Sequence, residues 1–198
     1  MPHLVESIDG LRVTSLARTV VDMAAVASFP AAVAMADAAL RRTEYPSARV
    51  PLTALTCDGL LAEAKKVALR HGSARIKRVI EFADGRADRP GESLSRVNIH
   101  LAGLPAPELQ VPMRGASGRR YVVDFWWPQF NLIGEFDGKA KYLDPQFLGG
   151  RTSQQAVYDE KVREDDLRAT SKSMSRWPWE IAVSPERLRA WLVQAGMR

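Results

Sequence analysis

The 198-residue sequence predicts a mixed α/β fold, α+β in its segregation: an all-helical N-terminal region over residues 1–89, then a mixed sheet flanked by helices over 90–198. Three observations predict it. From residue 13 to about 89 the apolar residues recur at helical spacing, with no strand-like alternation. Asp84-Gly-Arg-Ala-Asp-Arg-Pro90 is polar and turn-rich, and marks the best domain boundary. Beyond it the order becomes helix, three strands, helix, strand, helix, which is how a sheet covered by helices reads.

Each helical element has its own reason. Thr14 or Ser15 caps a helix through Leu16, Val20, Met23, Ala24 and Ala27, and Ser28-Phe-Pro30 breaks it. Pro30 suits the first turn of an alanine-rich helix over Ala31–Arg42. Leu52–Arg70 reads as helix interrupted at Asp58-Gly59. Gly72 ends it, and Ser73 can cap the next helix, which turns Ile76, Val79, Ile80 and Ala83 inward.

In the second region, Glu92–Ala102 is a helix stopped by Gly103 and Pro105, and Glu108–Met113 is a short strand. Gly115-Ala-Ser-Gly118 turns into a hairpin over Tyr121–Gly138, itself folded at Pro128-Gln-Phe-Asn131. Val123, Phe125 and Trp127 share its core face with Leu132 and Phe136. Arg151 to about Ala169 is a charged helix, its two signs spaced for i,i+4 pairs. Trp179–Val183 reads as a buried strand and Pro185–Gln194 as a closing helix.

Composition narrows the function classes. A hydrophobic content of 46% supports a packed core, and no stretch resembles a transmembrane run or a secretory signal. Cys57 is the sole cysteine, which excludes an internal disulfide and a cysteine-rich zinc site. His3, His71 and His100 are too scattered for a metal centre. A reducing, cytoplasmic setting without a membrane partner is expected. The net charge of +5 suits a polyanion, although the basic residues are spread along the chain.

The chemistry concentrates in the hairpin. With the turn centred between Gln129 and Phe130, Asp124 lies opposite Glu135, and Asp137 projects from the same face two residues on. Like charges directly opposed destabilise a hairpin, so this cluster calls for a compensating ligand. A hard divalent cation, Mg²⁺ or Mn²⁺, takes such oxygen donors. It would activate water and stabilise charge on a phosphodiester. The alternative is a solvated acidic face. Glu92 is either a further metal ligand or a first-turn acid facing its helix dipole. Lys139 and Lys141 are candidates for holding a phosphate or the attacking water, or are solvated. Arg119, Arg120 and Arg163 are candidate nucleic-acid contacts, with Lys141.

Val-Asp-Phe-x-x-Pro, a hydrophobic strand and Glu-x-Asp-Gly together resemble the very-short-patch-repair-like endonuclease domains of actinobacterial proteins. These belong to the PD-(D/E)XK restriction-endonuclease-like superfamily. The resemblance covers roughly Pro90 to Val193, including Pro90-Gly-Glu-Ser93, Ala102-Gly-Leu-Pro105 and Pro107-Glu-Leu-Gln-Val-Pro112. It implies a restriction-endonuclease-like mixed sheet and a metal-dependent nuclease acting on DNA, with Glu92, Asp124, Glu135 and Asp137 at the acidic positions. A role in phage defence or DNA repair is implied as well. Two departures stand out. Asp137 occupies the place of the superfamily's lysine, as is usual in this subgroup. Asp137-Gly-Lys-Ala-Lys-Tyr142 lacks the histidine that relatives carry, leaving Lys139 or Lys141 to serve in its place or the chain inactive.

Gly10-Leu-Arg-Val-Thr-Ser-Leu-Ala-Arg-Thr-Val-Val-Asp-Met-Ala24 resembles a segment of AbiEi-type antitoxin and regulator proteins, where a winged helix often comes first. The chain begins almost at that segment, so no winged helix is expected. Two functions therefore stand side by side: a Mg²⁺-dependent DNA endonuclease, and a catalytically inactive antitoxin-like or regulatory module with a toxin or other protein partner.

Overall fold

The computed structural model describes residues 5–8, 10–44, 55–67, 72–138 and 152–197. The described residues form a mixed α/β fold with eight α-helices, a two-stranded hairpin and a four-stranded mixed sheet. The chain divides into two compact units, Met1–Leu94 and Ser95–Arg198.

The first unit opens on a hairpin, β1 (Val5–Ile8) against β2 (Leu11–Thr14), where an all-helical region was expected. Ile8 pairs with Leu11, and Gly10 between the strands has φ 79°. Asp-Gly supplies the positive φ that tight hairpin loops demand, so the signal was local and present. Four helices follow: α1 (Leu16–Val26), α2 (Phe29–Glu44), α3 (Cys57–Lys66) and α4 (Ser73–Phe82). Ser15 is the cap of α1, accepting from Arg18 N at 3.2 Å. Asp58-Gly59 is the first turn of α3 rather than a break in a longer helix, because Thr56 Oγ1 accepts from Gly59 N at 3.0 Å. Gly72, left-handed at φ 98°, takes the capping position expected for Ser73. Val21, Val33, Ala36, Leu60, Val79 and Ile80 are fully buried and form a core of small and branched side chains. Asp37, buried among them, accepts the Asp84 N–H at 2.7 Å and so ties the turn-rich segment to α2.

Helix α5 (Pro90–Leu101) begins in the first unit and ends in the second. The sheet runs β3-β4-β5-β6, with β3 (Glu108–Arg114), β4 (Arg120–Trp127) and β5 (Leu132–Asp137) antiparallel in turn and β6 (Ser173–Pro178) parallel to β5. A parallel neighbour needs a crossover, and α6 (Ser153–Arg168) supplies it. The β4–β5 turn is a single 3₁₀ turn, Pro128–Phe130, closed by Asn131 at φ 46°. Helices α7 (Trp179–Ala182) and α8 (Pro185–Gln194) finish the unit.

The last strand corrects an expectation. Trp179–Val183 was read as strand, but β6 is Ser173–Pro178 and the next four residues are one turn of helix. Pro178 has no N–H with which to continue a ladder. The chain turns there and buries Ala182.

Two clusters make the core of this unit. One holds Phe125, Trp127, Leu132, Phe136 and Trp177 with Ile99 and Leu188. Both indole N–H groups are satisfied inside it: Trp127 donates to Pro105 O at 2.8 Å and Trp177 to Ser95 Oγ at 2.9 Å. Gly134 lies between these rings; a Cβ there would sit 2.7 Å from Trp177 and 2.8 Å from Trp127. The second cluster holds Met113, Val123, Ile133, Leu167 and Met174, with Tyr121 packed against it. Val123 thus departs from the face shared by Phe125 and Trp127. The change falls at one rung. Leu109 and Phe125 belong to the first cluster and Met113 and Val123 to the second; Gln110, at φ 51°, lies between the Leu109–Phe125 and Val111–Val123 pairs. A left-handed residue rotates its strand, so residues of one parity reach different clusters on either side of it.

Candidate functional site

The hairpin register is the one the sequence predicted. Trp127 pairs with Leu132, Trp126 with Ile133 and Phe125 with Gly134, and the ladder ends there, one residue short of Asp124 and Glu135. There the side chain of Asp124 enters the backbone pattern: its Oδ2 accepts the Phe136 N–H at 3.0 Å. Gln110 Nε2 approaches Oδ1 at 3.4 Å from the other side. Asp124 is therefore held between β3 and β5 at the point where the strands rotate, next to a residue in a costly backbone conformation. Such strain persists only where the surroundings enforce it, and it clusters at functional sites.

Glu135 is 5% exposed and doubly paired. Arg163, from α6, grips it with two nitrogens, Nη1 to Oε2 at 2.8 Å and Nη2 to Oε1 at 2.5 Å. Arg176 is its register partner on β6, and donates Nη2 to Oε2 at 2.9 Å. Glu160 completes a closed set, accepting from Arg163 at 2.9 Å and from Arg176. Arg176 Nε also lies 3.7 Å from Glu164. Burial would lower the pKa of Arg163, but hydrogen bonding and attraction from Glu135 and then Glu160 outweigh it and hold the guanidinium above its ordinary value. Arg176 is raised by the same balance, burial opposed by Glu135 and Glu160. Arginine side chains are not deprotonated in proteins, so both remain cations.

Asp137 ends β5 beside Pro178, half-buried. Glu92 lies in the first unit, buried, with Oε2 accepting the Asp88 N–H at 2.9 Å. That bond serves the start of α5. Lys139 and Lys141 lie outside the described residues. Arg163 is turned onto Glu135 and the Val122 carbonyl rather than outward. Arg119 and Arg120 are exposed at the far end of β4. Sequence reading missed Arg176, Glu160 and Gln110. Arg176 was hidden by placing β6 six residues too late; Gln110 carries no sequence signal, since its importance is its φ.

Asp124, Glu135 and Asp137 are the right donor type for a hard cation, three carboxylates on two adjacent strands. Among the described residues no group of three is already gathered as a metal cage. A cation binding Glu135 would displace guanidinium nitrogens from it. As it stands, Glu135 is part of an internal ion-pair network.

No helix among the described residues is long and apolar enough to cross a membrane. The chain is 33% identical over 140 residues to proteins of Mycobacterium tuberculosis strains CDC 1551 / Oshkosh and H37Rv, each described as uncharacterized. The match covers 71% of this chain and 48% of each relative, so the chain spans about half the length of the curated relatives it matches. No family model matches the sequence, and no solved structure matches the chain.

Proposed function

We propose that this protein is a metal-dependent DNA endonuclease, with a cytoplasmic role in phage defence or DNA repair. The observation that supports it is the placement of Asp124 and Glu135 just beyond the last paired rung of the two central strands of a helix-flanked mixed sheet, with Asp137 next along β5. Asp124, Glu135 and Asp137 would hold Mg²⁺ or Mn²⁺. The bound ion would supply an activated water and charge stabilisation at the phosphate. Lys139, two residues beyond Asp137, is the candidate to hold the phosphate. Arg163 and Arg176, when released from Glu135, would be two charged guanidinia beside the reacting phosphodiester.

One observation favours a second reading. Glu135 is already neutralised by two arginines, as a protein that had given up its metal would arrange it. On that reading the chain is an antitoxin-like or regulatory module that binds DNA or a toxin. Nicking of supercoiled plasmid with Mg²⁺ or Mn²⁺ decides between them. Cleavage by the wild type, lost in both Asp124→Ala and Glu135→Ala, is the expected result. No cleavage with either metal, together with no metal-induced rise in Tm, leaves the binding module.

A further inference from the structure

The β3–β4 hairpin ends in a tip that the candidate site does not use. Arg114 and Arg120 face each other across it, directly paired in the register, and Arg119 stands beside them. All three are exposed. Like charges directly opposed weaken a hairpin. Among the described residues none of the three guanidinia makes an ion pair; Arg114 Nη1 approaches only the Gly118 carbonyl, at 3.4 Å. The acid in this neighbourhood, Asp166 on α6, feels the charge of Arg119 but takes its hydrogen bonds from other groups. It accepts from Ser117 N at 2.7 Å, Ser117 Oγ at 2.6 Å and Tyr121 Oη at 2.9 Å, while its carbonyl accepts from Ala116 N at 3.1 Å.

Those bonds make the tip rigid. Gly115 permits them: a Cβ there would meet the Asp166 carboxylate. Ser117 Oγ in turn accepts from Arg119 N at 3.3 Å, and Gly115 N donates to Arg119 O at 2.9 Å. A tip braced in advance loses less freedom on binding, so more of its charge attraction appears as affinity. Two rungs behind the arginine pair, Pro112 faces Val122; both are exposed, Val122 at 51%. The surface is thus a group of three exposed guanidinia on a braced loop, backed by a small apolar strip. Guanidinia match phosphate oxygens in a planar, two-point geometry, and an apolar strip suits the sugar edge of a backbone.

We infer that the braced tip carrying Arg114, Arg119 and Arg120 is a docking surface for the phosphate backbone of DNA, separate from the carboxylate cluster. This rests on the endonuclease reading for its choice of DNA as the polyanion. Its test is separable from cleavage. Binding of a fluorescein-labelled, random-sequence DNA duplex to the full chain would be followed by anisotropy across a salt series, in the absence of divalent metal. The wild type would be compared with the triple variant Arg114→Ser, Arg119→Ser, Arg120→Ser and with Asp124→Ala. Each phosphate contact contributes about 0.9 to the slope of log affinity against log salt, so the triple variant should lose roughly 2–3 from that slope. Asp124→Ala should keep the wild-type slope. An unchanged slope in the triple variant, with its Tm matching the wild type, overturns the inference. So does a wild type that binds no duplex, or a triple variant that loses affinity for polyglutamate but not for DNA, which would assign the tip to an acidic protein. A protein that never cleaves but shows the slope loss keeps the tip and gives up the nuclease.

Discussion

The two clusters flanking the sheet are built from opposite materials. One is aromatic: Phe125 is stacked on Trp127 at 6.2 Å and tilted against Trp177 at 5.3 Å, with Phe136 in the same cluster and both buried indole N–H groups bonded. On the other, an apolar patch of Val123, Ile133, Leu167 and Met174 adjoins a half-buried set of Glu135, Glu160, Arg163 and Arg176. The contrast separates stability from function. Burying aromatic surface stabilises the fold directly. A buried ion pair costs desolvation and is often matched or bettered by apolar residues of equal volume. Charges kept in such a place therefore point to a task other than folding, and here the charges surround one of the carboxylates proposed to hold metal.

The comparison breaks most severely on the aromatic side. Trp177→Ala removes a ring with no exposure and leaves Ser95 Oγ without its donor; a loss of about 3–5 kcal/mol is expected by urea unfolding, with no dependence on added metal. On the ionic side, Arg163→Met leaves Glu135 short of its two-point partner. It should cost a comparable amount, about 3–5 kcal/mol, but the double variant Arg163→Met with Glu135→Gln should recover much of it. Mg²⁺ sharpens this case. If Glu135 takes metal, Mg²⁺ should raise the Tm of Arg163→Met more than that of the wild type and leave the double variant unmoved. Equal responses in all three would remove Glu135 from the metal site.

The smallest effect belongs to the brace. The hydrogen bonds from Ser117, then Tyr121, and the charge of Arg119 hold the Asp166 carboxyl below its ordinary value. Its folded pKa being depressed, its contribution is present above the unfolded value of about 3.9 and is lost as pH falls through the lower folded value. Asp166→Asn should flatten the acid limb of a Tm-against-pH curve there and change nothing near neutrality that depends on this titration. An unaltered acid limb would show that the brace contributes nothing to stability.

Most of the second unit was legible because its signals are local. The β4–β5 register followed from Pro128 and Asn131 at the turn, and α6 and α8 were read within two residues of their observed ends. The β1–β2 hairpin was equally local, written in Asp9-Gly10, and simply went unread. Other features were not local at all. The partners of Glu135 stand 28 and 41 residues along the chain, delivered by a helix and a parallel strand whose position depends on the crossover between them. The rotation at Gln110 is invisible in a period-two pattern, because a pattern assumes that each residue keeps the same sense of φ.

By itself, then, the sequence determined most helices and strands of the second unit, the register of the β4–β5 hairpin, and that acids gather in it. These depend on dihedral preferences and on alternation over a few residues. Only the tertiary structure decided what those acids touch. Packing α6 and β6 beside β5 brought two arginines onto a carboxylate that the hairpin alone would have left to solvent, since a buried charge must find its counter-charge wherever the fold can supply one.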